Sequence, residues 1–407
     1  MGKDSKPHIG IFGRRNNGKS SLINFLANQE IAIVSDVAGT TTDPVKKSME
    51  IPGIGPVVVI DTAGIDDEGD LGKKRIQKSM DAIKTIDFAL LVFTENEFGG
   101  PEEKIIAELK KYDVPFLTIH NKADILQLNY DLAENLKLQF NIEPINFSTV
   151  EGFSRNELVA LISKGIPETA YMSKSLVGDI ISQGDLILLI TPIDAEAPEG
   201  RLILPQVQAI RDILDNDAVA VVCKEREVDT LLKRLSPEPA LVITDSQVFL
   251  KAGASVPEHI PLTSFSTVLA RYKGDFQNYL KGTPHLSKLN NGDKVLILES
   301  CTHHVSCDDI GRIKIPRWLS NFTGKNLGYE VVSGLNNIPG KITDYAMVIQ
   351  CGGCMITRKQ IISRLKPAID AGIPVTNYGM AIAYIHGIYE RAVAPFVKID
   401  RDSLDYL

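Results

Sequence analysis

The sequence predicts an α/β protein, with an N-terminal P-loop fold built on a mostly parallel sheet, followed by two smaller α/β domains. Three observations predict it. Apolar runs of strand length alternate with helical patterns along the chain, the signature of strands joined by helical crossovers. A glycine-rich phosphate-loop pattern separates the first apolar run from the first helical one. The 407 residues suffice for two or three domains at roughly 150 residues each.

The elements follow in order. In residues 1–168, HIGIFG precedes the helical SSLINFLANQ, and VVVIDT precedes a helix over Lys73–Thr85. FALLVF precedes EEKIIAELKKY, and VPFLTIHN precedes LNYDLAENLKLQF. The polar stretch SKGIPETAYMSKSLVG reads as a linker. Residues 175–273 form a second α/β domain: strand DLILLITP, helix LPQVQAIRDILDN, strand AVAVVCK, a helix rich in Lys and Arg, and strand ALVITD. Asp194–Gly200, with three acidic residues and a proline, reads as an exposed loop. Residues 277–407 form a third: strand KVLILES, the segment IPRWLSNF, a helix or strand over Leu327–Ser333, and strand YAMVIQ. Helix RKQIISRLKPAIDAG, strand IPVTN and a last helix over Ala381–Arg391 complete it.

Composition narrows the function classes. Hydrophobic residues make up 44% and charged residues 23%, ordinary for a soluble globular protein. The net charge of −7 argues against a nucleic-acid binder, which carries a basic excess. Five cysteines in a chain of this size do not make a disulfide framework. No apolar run approaches the roughly 18 residues of a membrane span, and the N-terminus lacks an apolar signal core. A reducing cytoplasm is the expected compartment.

Gly13–Ser21 reads GRRNNGKSS, a G-x-x-x-x-G-K-S loop between strand and helix. Gly13 and Gly18 let the backbone of Asn16 and Asn17 curl so that N–H groups meet phosphate oxygens. Lys19 is expected on the β- and γ-phosphates, Ser20 on magnesium, and Ser21 in the first turn of the helix. DTAG at Asp61–Gly64 ends a strand; Asp61 can hold magnesium through water and the Gly64 N–H can sense the γ-phosphate. NKAD, from Asn121 and Lys122 to Asp124, ends another strand, and Asp124 can accept two hydrogen bonds from a guanine edge, which adenine does not offer. Ser148 and Thr149 sit where a loop backs the base. Each motif ends a strand, as in open parallel sheets that bind ligands. The N-terminal domain is therefore expected to be a P-loop GTPase that binds GTP or GDP with Mg2+.

GTTTD at Gly39–Asp43 reads as the first switch. With the P-loop Asn and DTAG it resembles the GTPase group that includes Era, MnmE and Der. That resemblance implies Thr41 as a switch ligand of magnesium and Asn16 as the residue holding a potassium ion (K+) in potassium-activated members. Ile65 follows DTAG where Ras-like GTPases place a Gln that orients water. No cis arginine finger is obvious, although Arg14 and Arg15 lie in the loop. Slow hydrolysis stimulated by potassium is the expectation.

The second signal is QCGGC at Gln350–Cys354, after a strand. Cys301 also follows a strand, in ESCTHH. If those strands are parallel neighbours, Cys301, Cys351 and Cys354 meet on one edge. Three thiolates leave one coordinate of a 4Fe–4S cluster open; zinc sites close with four ligands. His303, His304, Glu299 and Cys307 are candidates for the fourth contact. Cys223 reads as core.

A P-loop domain followed by Cys-Thr-His and Cys-Gly-Gly-Cys resembles the HydF family, GTPase maturation factors of FeFe-hydrogenases, over the whole chain. The resemblance implies a GTPase domain, a dimerisation domain and an iron–sulfur domain. It implies a homodimer or higher oligomer that binds a 4Fe–4S cluster. It also implies receipt of a di-iron precursor built with two radical-SAM maturases and its delivery to apo-hydrogenase. Gln350 stands where that family's pattern has a second His. The competing expectation is an Era- or MnmE-like regulatory GTPase with a structural zinc domain.

Overall fold

The computed structural model describes residues 6–28, 44–66, 69–150, 154–171, 175–192, 202–300, 309–353 and 356–397. The chain forms two compact units, Met1–Ser173 and Lys174–Leu407.

In the first unit, apolar β-branched runs become the strands of one sheet. The order along the chain is β1 (His8–Phe12), α1 (Lys19–Ala27), β2 (Val45–Ile51), β3 (Gly55–Asp61), α2 (Gly69–Ile83) and β4 (Phe88–Phe93). It continues with α3 (Gly100–Lys111), β5 (Phe116–His120), α4 (Tyr130–Phe140), β6 (Ile145–Asn146), α5 (Arg155–Gly165) and α6 (Glu168–Tyr171). Spatially the sheet runs β2-β3-β1-β4-β5-β6, parallel except for β2, which pairs antiparallel with β3 at the edge. All six residues of β4, FALLVF, are buried, because helices cover both faces of a central parallel strand. One core packs Ile9, Leu22, Leu90 and Ile162 on one face; the other packs Phe12, Ile60, Leu91 and Ile105. Each such side chain contributes about 1.5–3 kcal/mol on burial.

The linker expectation is corrected in part. Ser163–Gly165 ends α5, whose Ser154 and Glu157 form a reciprocal capping box, and Glu168–Tyr171 is the short helix α6. Leu158 and Ile162 are buried in the core, so tertiary burial carries the helix through a stretch that looks polar in sequence.

The second unit holds two four-stranded parallel sheets. The first uses β7 (Leu186–Ile190), α7 (Leu204–Asp215), β8 (Val219–Cys223), α8 (Val228–Leu232), β9 (Leu241–Thr244), α9 (Phe249–Ser255), β10 (Leu262–Ser264) and α10 (Phe265–Lys273), in strand order β10-β9-β7-β8. After α11 (Phe276–Gly282), the second sheet uses β11 (Lys294–Leu298), α12 (Ile315–Thr323), β12 (Gly328–Val332), β13 (Met347–Gln350), α13 (Arg358–Asp370), β14 (Val375–Asn377), α14 (Tyr378–Ile385) and α15 (Tyr389–Val393). Its order is β12-β11-β13-β14. The Leu327–Ser333 region is thus a strand, and IPRWLSNF is helical. The single last helix expected over Ala381–Arg391 is two helices, broken at Gly387, whose φ of 73° suits glycine. The loop expected at Asp194–Gly200 lies outside the described residues.

The sequence divides near residue 275, but the two sheets share one interior. Thr263 Oγ1 donates to the Ala392 carbonyl (2.7 Å) and Ser266 Oγ to Asn377 Oδ1 (3.2 Å). Ala270, beside Tyr279, packs in the core of the second sheet, and Ala383 and Ala392 pack in that of the first. Helix α10 belongs to both, which places its last residue, Lys273, beside the cysteine loop.

Candidate functional site

The nucleotide motifs gather at the C-terminal ends of β1, β3, β5 and β6. The P-loop curls because Gly18, at φ 84° and ψ 24°, caps α1 in the left-handed region. A Cβ there would collide with Asn121 Nδ2, and one on Gly13 with the Val92 carbonyl. Asn16 also takes a left-handed turn, at φ 61°, and is exposed. Lys19 Nζ donates to the carbonyls of Gly13 (2.9 Å) and Arg14 (2.8 Å), which holds its charge over the loop. Ser20 and Ser21 lie in the first turn of α1, where free N–H groups favour an anion.

Asn17 is structural. Its Nδ2 donates to Val92 O (3.1 Å), and its Oδ1 accepts from Thr94 Oγ1 (3.0 Å). Asn121 Nδ2 donates to the Asn17 carbonyl (2.9 Å), so the NKAD motif staples the P-loop. Lys122 at φ 61° turns the chain outward and leaves the Asp124 side chain exposed. Ser148 Oγ donates to Asp124 Oδ1 at 2.5 Å and accepts from the Val150 N–H (3.0 Å). That holds one oxygen of the Asp124 carboxylate in place. Thr149 follows in the same half-buried turn.

Asp61 ends β3, and burial pushes its carboxyl above the usual range; Lys19 and Lys47 oppose this. Gly64 packs so tightly that a Cβ would meet Arg15 Cγ at 2.5 Å and Asp66 Oδ1 at 2.8 Å. Asp66, which sequence reasoning missed, accepts the P-loop N–H of Arg15 (2.9 Å) and ties the DTAG segment to the loop. Ile65 is buried in the core with Phe12 and Ile83, and its aliphatic side chain has no group to orient a water. The Arg14 guanidinium makes two bonds to the buried Glu102 (2.8 and 3.0 Å) and a third to Glu97. Thr41, with the rest of the first-switch motif, lies outside the described residues.

In the second unit, β11 and β13 are parallel neighbours, with Leu298 opposite Gln350. Residues that follow the two strands therefore start from one sheet edge. Cys351 is half-buried there. The Ser300 N–H donates to Cys351 Sγ (3.1 Å), and Ser300 Oγ lies 2.8 Å from it. Gln350 is buried; its Nε2 donates to Ser300 Oγ and the Cys351 carbonyl (both 3.2 Å) and lies 3.6 Å from Cys351 Sγ. Its Oε1 has no partner among the described residues. The chain thus supplies donors around a sulfur, an environment that suits a thiolate ligand.

Glu299 is buried against Arg312, which donates to Oε2 from Nε (3.1 Å) and Nη2 (2.9 Å), with Ser333 Oγ 2.9 Å away. Arg364 and Lys273 are buried cations beside the same edge. Lys273 Nζ donates to the carbonyls of Gly353 (3.2 Å) and Ile356 (3.0 Å). Neither Arg364, Lys273 nor Ser300 carries a motif in sequence; proximity alone recruits them. Cys301, His303, His304, Cys307 and Cys354 lie outside the described residues. Among the described residues no three His, Cys, Asp or Glu side chains form a metal-holding group. Cys223 sits half-buried on the edge strand β8, its thiol pushed up to about 11 by burial, and packs against the core beside Val228.

Residues 8–122 match the family model described as 50S ribosome-binding GTPase. Residues 176–274 match the hydrogen maturase F dimerization domain, and residues 277–395 its tetramerization domain. The chain belongs to the hydrogen maturase F family. Its N-terminal unit is a P-loop GTPase domain, and the rest carries that family's two oligomerisation modules. The tRNA modification GTPase MnmE of Hydrogenovibrio crunogenus is 42% identical over 126 residues, 31% of this chain and 28% of that protein. GTPase Der of Wolinella succinogenes is 42% identical over 134 residues, 32% of this chain and 28% of that protein. The chain thus spans less than a third of the length of these curated relatives. A solved structure of an Aquifex aeolicus Era variant bound to GDP and aluminium fluoride matches at 19% identity, over 54% of this chain and 92% of that one, with a TM-score of 0.35. Among the described residues no helix is long and apolar enough to cross a membrane.

Proposed function

We propose that this hydrogen maturase F family member is a cytoplasmic, homo-oligomeric scaffold and carrier. It hydrolyses GTP, holds a 4Fe–4S cluster, and passes a di-iron precursor to apo-hydrogenase after exchange with two radical-SAM maturases. The observation that carries the reading is the register of β11 and β13. It starts the Cys301 and Cys351–Cys354 segments from one sheet edge, in a chain of this family. Cys301, Cys351 and Cys354 are the fixed ligands in this reading. A cluster bound there would supply one iron with an exchangeable coordination place. Glu299 is committed to Arg312 and Ser333, which leaves His303, His304, Cys307, solvent or the cargo for that place. Gln350 serves as a hydrogen-bond donor rather than a ligand, since its Nε2 already faces Ser300 and Cys351.

Anaerobic reconstitution with iron and sulfide tests the reading. About four irons per chain and an EPR signal after reduction are expected, as one cubane requires. Zinc alone, or no metal, would sink it. The Era- or MnmE-like alternative with a zinc domain draws on the GTPase domain and does not account for the matches of residues 176–274 and 277–395 to the hydrogen maturase F modules.

In the GTPase domain, Asp124 reads guanine, Lys19 stabilises charge on the β- and γ-phosphates, and Ser20, Thr41 and Asp61 hold Mg2+. Lys19→Ala is expected to lower turnover on the order of 10²–10³-fold, the cost of removing one charge-stabilising donor; single-turnover phosphate release measures it. Ile65 is buried and has no polar group to orient water, and Arg14 is bound to Glu102 and Glu97. Potassium beside Asn16 then fills the role of a positive finger. Hydrolysis is expected to run severalfold faster in potassium than in sodium, and equal rates would refute the assignment.

A further inference from the structure

One buried cation of the cysteine edge is wired to a ligand sulfur through a single peptide group. Arg364 projects from α13 into the ends of β11 and β12. Its Nη1 donates to the Glu299 carbonyl and its Nη2 to the Val332 carbonyl, both at 2.6 Å. The Glu299 N–H donates to that same Val332 carbonyl (2.9 Å), so the guanidinium clamps two strand ends together. The Glu299 carbonyl and the Ser300 N–H are the two ends of one peptide unit, and that N–H donates to Cys351 Sγ (3.1 Å). The chain of contacts is guanidinium, carbonyl, N–H, sulfur. A cation on the carbonyl end polarises the peptide and strengthens the bond at the other end. Arg364 is only 9% exposed; its guanidinium bonds go to carbonyls, and the nearby Glu299 carboxylate is shared with Arg312. A buried charge is costly unless something anionic balances it. Arginine stays charged at any working pH.

We propose that Arg364 is a positioning residue for an anionic metal centre on Cys351, acting through the Glu299–Ser300 peptide to favour its reduced form. This rests on the cluster reading above. Three thiolates make such a centre anionic, and reduction adds a further negative charge. Hydrogen bonds to ligand sulfur and net nearby charge set the potentials of such clusters. Lys273 adds a second buried cation on the far side of the loop, donating to carbonyls on either side of residues 354–355.

The test is an EPR-monitored redox titration of the full-length, reconstituted protein, wild type against Arg364→Gln and Arg364→Lys. Arg364→Gln is expected to make reduction about tenfold less favourable, about 59 mV lower for one electron. Arg364→Lys keeps the charge but cannot span both carbonyls, and should fall by roughly threefold. It stands in if the Gln variant does not fold. Iron content is measured alongside, because a purely structural role would lower loading without moving the potential of the clusters formed. A loaded wild type whose potential neither variant moves overturns the role of Arg364 alone. A wild type that takes up no cluster overturns the carrier reading, and this proposal with it.

Discussion

Asp124→Asn is expected to weaken GTP binding by roughly two to four orders of magnitude and to restore affinity for xanthosine triphosphate. A guanine edge presents two N–H donors, and an ionised carboxylate accepts both; each such charge-assisted bond is worth about 1.5–3 kcal/mol. Ser148 already holds one carboxylate oxygen at 2.5 Å, so the group is oriented before the base arrives. An asparagine presents one acceptor and one donor, which mismatches guanine at one position and leaves a group unpaired. Xanthine has a carbonyl where guanine has its amino group, and so accepts from the asparagine amide. Competition of the two nucleotides against a fluorescent analogue gives both affinities. Unchanged GTP affinity would show that Asp124 does not read the base. Asn121 is the wrong residue for this experiment, because it also staples the P-loop through the Asn17 carbonyl.

Cys351→Ala is expected to reduce iron after reconstitution from about four per chain to background, since a cubane needs its protein thiolates. Nucleotide affinity should stay at the wild-type value. Alanine also strips an acceptor from the Ser300 N–H and hydroxyl, at about 1–3 kcal/mol for each buried group left unpaired. Cys351→Ser separates ligand loss from that local cost, because its oxygen keeps the Ser300 contacts but is a poor ligand for iron. Both variants should therefore lose the cluster, and the Ser variant should melt closer to the wild type. Full iron content in Cys351→Ala would remove Cys351 from the ligand set.

Some of this was legible because the informative residues are consecutive. GRRNNGKSS, DTAG and NKAD each occupy one turn, and the strand before each fixes which end of the sheet it occupies. The cysteine edge was legible conditionally: it needed β11 and β13 to be neighbours, which their pairing in register supplies. Other features were hidden. VKKSMEI does not announce itself as a strand, because an antiparallel edge strand buries only one face, here Met49 and Ile51. Asp66 and Ser300 look like ordinary polar loop residues, and their roles depend on which backbone or sulfur atom lies opposite.

The sequence by itself determined the class of fold, the guanine nucleotide, and the end of the sheet at which the nucleotide motifs lie. Those are local properties: hydrophobic period, glycine conformations and short motifs act within a few residues. Only the tertiary structure decided that the last two sheets share one interior, that Gln350 donates to sulfur, and that Arg364 and Lys273 are buried beside the cysteine loop. Arg364 lies 65 residues from the Glu299 carbonyl it grips, and Lys273 lies 80 from that of Gly353. A charge is buried where packing leaves no other place for it and carbonyls await it, and no local pattern in the chain records where that will be.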